Sequence, residues 1–105
     1  MPLLQNHIAV VTGAGSGIGR AIALGYAREG AQVVLLDMND KAAAEAAAEI
    51  RDAGGQATSF ALDVSKREDC VAAARRIADQ VGPVSILVNN AASPAATACW
   101  VRPRP

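Results

Sequence analysis

The sequence predicts an α/β fold built on a doubly wound parallel sheet. Two observations carry this expectation. Four short apolar runs alternate with three longer runs of helical period, the pattern of strands joined by helical crossovers. A cluster of glycines, Gly13 to Gly19, stands at the junction of the first apolar run with the first helical one.

Each element has its own local warrant. Strand one is predicted over His7–Val11, an apolar run that the glycines end. Helix one runs from near Gly17 to Glu29, and Gly30 suits its C-terminal stop. Strand two, Gln32–Leu36, is continuously apolar, as a strand buried on both faces must be. Helix two starts at Asn39 or Asp40, both good caps, and ends before Gly54-Gly55. Strand three is predicted over Ala57–Leu62. Helix three has Ser65 as its cap and Glu68 three residues on, the spacing of a capping box. Val71, Ala74, Ile77, Ala78 and Val81 are expected on its buried face, and Gly82-Pro83 ends it. Strand four is Val84–Val88, followed by Asn89-Asn90-Ala91-Ala92.

A doubly wound sheet places these strands in the order 3-2-1-4. Helices one and two then cover one face and helix three the other. A Rossmann-like crevice opens between strands one and four, at their C-terminal ends. Residues 1–92 read as one half-domain, truncated after four strands. Residues 93–105 read as an irregular tail in which prolines at 103 and 105 oppose a helix.

Composition narrows the function classes. The chain has 105 residues and is 51% hydrophobic, but alanine makes up 24 of them, so the core is thinner than the percentage suggests. Net charge is zero, and neither a basic cluster nor a set of aromatics points to nucleic acid. Cys70 and Cys99 form no metal spacing and no disulfide framework, which predicts a reduced, cytoplasmic chain. The first residues lack the pattern of a signal peptide, and no apolar run has membrane-spanning length.

The glycine loop carries the first chemistry. Its pattern is Thr12-Gly13-x-x-x-Gly17-x-Gly19, not Gly-x-Gly-x-x-Gly, because the third position of that pattern falls on Ile18. Gly13 permits the tight turn, Gly17 lets backbone approach a pyrophosphate, and Gly19 lets helix one pack close to the sheet. The free amides of helix one then face the phosphates. The competing reading is a purely structural turn. Asp37 closes strand two, where a carboxylate accepts hydrogen bonds from both ribose hydroxyls and repels the phosphate of NADP. Its alternative is a surface acid capping helix two. Ser16 adds no positive charge to the loop and no Arg or Lys directly follows Asp37, so NAD is the expected cofactor. Arg20 either reaches a phosphate or faces solvent. Asp63-Val64 reads equally as an adenine contact or as a turn before Ser65. Asn89-Asn90 reads as a bridge across the crevice or as an ordinary turn.

In combination, Thr12–Gly19, Asp37, Asp63-Val64 and Asn89–Ala91 follow strands one to four in order. This arrangement resembles the N-terminal, cofactor-binding part of the short-chain dehydrogenase/reductase family, over about residues 6–92. The resemblance implies that Gly13, Ser16, Ile18 and Gly19 contact the cofactor and that Asp37 binds the adenosine ribose. It implies Asp63 and Val64 at the adenine, and Asn89, Ala91 and Ala92 at the nicotinamide-side ribose. Ala92 stands where the family usually has glycine. The family's catalysis rests on a Ser, a Tyr-x-x-x-Lys motif and a further Asn. The one tyrosine here, Tyr26, is followed by Ala-Arg-Glu-Gly and is expected in packing.

No catalytic residue or metal ligand is therefore assigned. The implied activity is hydride transfer between NAD and an alcohol or carbonyl substrate, with this chain inactive alone. The alternatives are a non-catalytic NAD-binding module and a nucleotide fold of other chemistry, such as a methyltransferase. Besides the dinucleotide and an unspecified substrate, the expected partner is a second copy, paired through the exposed edge of strand four.

Overall fold

A computed structural model describes residues 3–90. The elements run β1 (Ile8–Thr12), α1 (Gly17–Arg28), β2 (Gln32–Asp37), α2 (Asp40–Asp52), β3 (Gln56–Ala61), α3 (Arg67–Gln80) and β4 (Ile86–Asn89). The strands pair in parallel in one sheet of order β3-β2-β1-β4, as predicted.

Element bounds shift by one or two residues, and pairing explains the shifts. Thr12 pairs with both Leu36 and Asn89, so β1 extends past Val11. Gln56 pairs with Gln32, so β3 begins one residue before Ala57 and ends at Ala61. Ala9 pairs with Ile86, which leaves Val84 and Ser85 ahead of β4. The Ser85 N–H still donates to the Ile8 carbonyl, at 3.0 Å.

The central strands explain the continuous apolar runs. Val33 and Leu35 point into a core shared with α1 and α2, whereas Val34 and Leu36 point into a core shared with α3. All four are fully buried, and each such side chain contributes about 1.5–3 kcal/mol of burial. The α1/α2 side is closed by Ala23, Ala46, Ala47 and Ile50. Its small side chains let helices lie close to the sheet. The α3 side is filled by Phe60, Leu62, Cys70, Ala73 and Ile77.

Helix three differs from expectation in two ways. Its buried face is Cys70, Ala73 and Ile77, with Val81 partly buried. Val71, Ala74 and Ala78 are exposed. The apolar spacing was compatible with two azimuths, and the sheet selected the one that buries Cys70. Nor does Ser65 cap the helix. Its N–H and hydroxyl both donate to Asp63 Oδ1, at 3.0 and 2.6 Å, and α3 begins after Lys66 with no side-chain cap. The expectation for the two cysteines rests on Cys99, which lies outside the described residues.

Among the described residues β4 pairs only with β1, and Val84 and Leu87 are 44% and 43% exposed. No helix among them is long and apolar enough to cross a membrane. The expected tail at 93–105 lies outside the described residues, as do the site candidates Ala91 and Ala92.

Candidate functional site

The C-terminal ends of β1, β2 and β4 converge on the glycine loop. Gly13 turns the chain out of β1 with φ 64°. Gly19, one turn inside α1, is buried against that turn. A Cβ on Gly19 would overlap the Gly13 carbonyl oxygen and stand 2.6 Å from Asn90 Nδ2. Only glycine lets the helix start this close to the strand. Gly17, φ 60°, is the opposite case: nothing lies within 4 Å of the place its Cβ would take. Its backbone is open to an approaching ligand.

The start of α1 differs from the starts of the other two helices. Asn39 caps α2 by accepting from the Ala42 N–H at 3.1 Å, and Asp40 stands in its first turn. Glu68 and Asp69 stand in the first turn of α3. On α1, Ser16 makes no side-chain capping bond and the first turn holds no acid. The first amides of a helix carry a partial positive charge, and here neither the Ser16 side chain nor an acid of the first turn meets it. Ile18 is 73% exposed on this turn.

Asp37 joins β2 to the loop. Its Oδ2 accepts from the Gly15 N–H at 2.8 Å and its Oδ1 from the Asn39 N–H at 2.9 Å. A carboxylate has about four acceptor sites, so both oxygens retain acceptor capacity. Arg20 pairs with Glu49 on α2 at the surface.

The β4 side is knitted by Thr12 and Asn90. Thr12 is fully buried. Its hydroxyl lies 3.2 Å from Asn89 Oδ1 and 3.4 Å from the Val88 carbonyl, and it accepts from the Asn90 N–H at 3.0 Å. Asn90 Nδ2 donates to the Gly13 carbonyl at 3.4 Å. Asn90 therefore makes the bridge foreseen for the asparagine pair. Thr12 and Gly15 carried no role of their own in the sequence reading. Their partners lie 22 to 78 residues away, beyond the reach of local spacing.

Asp63 and Val64 lie at the exit of β3. The Asp63 carboxyl is held below its ordinary value of 3.8, first by the Ser65 hydroxyl and then by the Ser65 N–H. Val64 packs partly against the α3-side core. Among the described residues no three His, Cys, Asp or Glu side chains gather as a metal site. A hollow of about 460 Å³ lies at the other end of the sheet beside His7, Gln32 and Gln56. It has no part in this crevice.

The fold and the loop define a dinucleotide-binding architecture, and comparison with known proteins gives the family. The model of the short chain dehydrogenase family matches residues 7–99. Estradiol 17-beta-dehydrogenase 11 of Mus musculus is 46% identical over 88 residues, which cover 84% of this chain and 30% of that protein. The uncharacterized oxidoreductase YxbG of Bacillus subtilis (strain 168) is 47% identical over 91 residues, 87% of this chain and 33% of that one. Among solved structures, hydroxysteroid dehydrogenase from Escherichia coli superposes with TM-score 0.83 at 41% identity, covering 86% of this chain and 38% of that one. A structure described as a D-mannonate oxidoreductase from Haemophilus influenza with bound NAD gives TM-score 0.82 at 32% identity, covering 86% and 32%. This chain belongs to the short-chain dehydrogenase family. It spans about a third of the length of these relatives.

Proposed function

We propose that this chain forms the cofactor-binding half of an NAD-dependent oxidoreductase. NAD, when bound, supplies the hydride acceptor or donor for an alcohol or carbonyl carbon. The chain's own residues bind and orient it. Gly13, Ser16, Gly17, Ile18 and Gly19 would hold the pyrophosphate side, where the start of α1 lacks an acid or side-chain cap. Asp37 would take the adenosine ribose, Asp63 and Val64 the adenine, and Asn89, Ala91 and Ala92 the nicotinamide-side ribose. Residues 1–92 would make up this half-domain and 93–105 its irregular tail. The 105 residues contain no Tyr-x-x-x-Lys, so none of them is assigned turnover or substrate choice. Self-association through the outer edge of β4 belongs to the same reading.

The observation that carries the proposal is Asp37 at the end of β2, held against the glycine loop with acceptor capacity remaining. Against this carboxylate a 2′-phosphate is repelled, whereas ribose hydroxyls donate to it. Isothermal titration of the full chain with NAD, NADP and S-adenosylmethionine tests the reading. Saturable NAD binding, with NADP weaker by about ten-fold or more, supports it, since a hydrogen bond to a charged group is worth about 1.5–3 kcal/mol. Preference for S-adenosylmethionine would favour methyl-transfer chemistry. A folded chain that binds none of the three overturns the proposal.

A further inference from the structure

Gly15 is not one of the loop's motif glycines, yet it is buried. It does not share the left-handed backbone of Gly13 and Gly17, so conformation alone does not demand glycine there. Space does. A Cβ at Gly15 would stand 2.8 Å from Asp37 Oδ2, 3.1 Å from Asp37 Cγ and 2.8 Å from Ala42 Cβ. Ala42 sits in the first turn of α2, and its Cβ is fixed to the helix backbone. The Asp37 carboxylate is the movable party. Any side chain at position 15 therefore pushes it away and breaks its 2.8 Å bond with the Gly15 N–H.

The geometry points to Gly15 as a specificity-determining residue: its missing side chain lets the loop backbone and Asn39 fix the Asp37 carboxylate where it selects an unphosphorylated ribose over a 2′-phosphorylated one. This rests on the cofactor reading above and adds a second residue to the selection. Asp37 supplies the charge, and Gly15 supplies the place from which the charge acts. Fixing the carboxylate before the ligand arrives removes an ordering cost from binding. It also keeps the negative charge from swinging aside to admit a phosphate.

The test is a set of NAD and NADP titrations on the full chain carrying Gly15→Ala, Asp37→Asn, or both. Gly15→Ala is expected to weaken NAD by about ten-fold while NADP changes by about two-fold or less, so the NAD:NADP ratio collapses. The double variant is expected to match Asp37→Asn alone, because both changes remove one coupled arrangement. An equal loss for both cofactors, or an unchanged ratio, overturns the inference and leaves the cofactor reading standing. A folded wild-type chain that binds neither dinucleotide overturns both. Amide hydrogen exchange provides the measurement that does not need Gly15→Ala to fold. The Gly15 N–H should be protected in the wild type before NAD is added and exposed in Asp37→Ala, which removes both acceptor oxygens. Fast exchange in the wild type overturns the brace.

Discussion

Two strands of this sheet end in the same local device and come to different uses. Asp37 closes β2 and Asp63 follows β3, and each carboxylate accepts the N–H two residues on, Asn39 in one case and Ser65 in the other. The difference lies in the remaining contact. Asp37 spends its second oxygen on Gly15, 22 residues back in the glycine loop. Asp63 takes the Ser65 hydroxyl on the same oxygen as the Ser65 N–H and stays local. An acid-initiated turn becomes part of a site when tertiary structure gives it a distant partner. At the end of β3 the carboxylate's bonds stay within the turn.

Substitutions can break or sharpen this contrast. The largest effect is expected from Gly19→Ala, which drives a Cβ into the Gly13 turn. It should cost about 3 kcal/mol in urea unfolding, the upper range for overpacking, by lifting the loop on which Asp37 leans. Thr12→Val should cost about 2 kcal/mol by the same measurement, because it leaves the Asn90 N–H without its 3.0 Å acceptor. Asp37→Asn should cost about 1 kcal/mol. The amide oxygen still serves one N–H, but the amide nitrogen turns a donor toward the other.

Asp63→Asn should cost less than Asp37→Asn at neutral pH, since one amide oxygen can accept both bonds that Asp63 now receives on Oδ1. Equal losses at the two acids would erase the contrast. The smallest effect is on pH dependence. Because the folded-state pKa of Asp63 is lowered from 3.8, its charged form contributes stability that is present above that value. The contribution is lost as pH falls through the lower, folded-state value. The stability gap between wild type and Asp63→Asn should narrow in acid and stay flat from pH 5 upward. Widening on acidification would reverse the assigned direction.

Much of the fold and part of the site could be read from the sequence. Val33 to Leu36 announced a strand buried on both faces, and the Gly13/Gly17/Gly19 spacing announced a tight turn into a helix. Asp37 stood at the right place to end strand two. Helix three shows where such reading runs out. Its apolar residues allowed a face through Val71 and Ala74, and the sheet instead took Cys70 and Ala73. Ser65 had the spacing of a cap, but the nearer carboxylate of Asp63 captured its hydroxyl.

What the sequence determined by itself is therefore the order and kind of the elements, because hydrophobic period and turn residues act over a few neighbours. The tertiary structure alone decided which distant groups meet. Gly15 with Asp37, Thr12 with Asn90 and Arg20 with Glu49 are pairs separated by 22 to 78 residues. No local rule aligns such pairs. They are brought together by the crossovers that set β2 and β4 on either side of β1, and by small side chains that let helices sit close enough for a missing Cβ to matter.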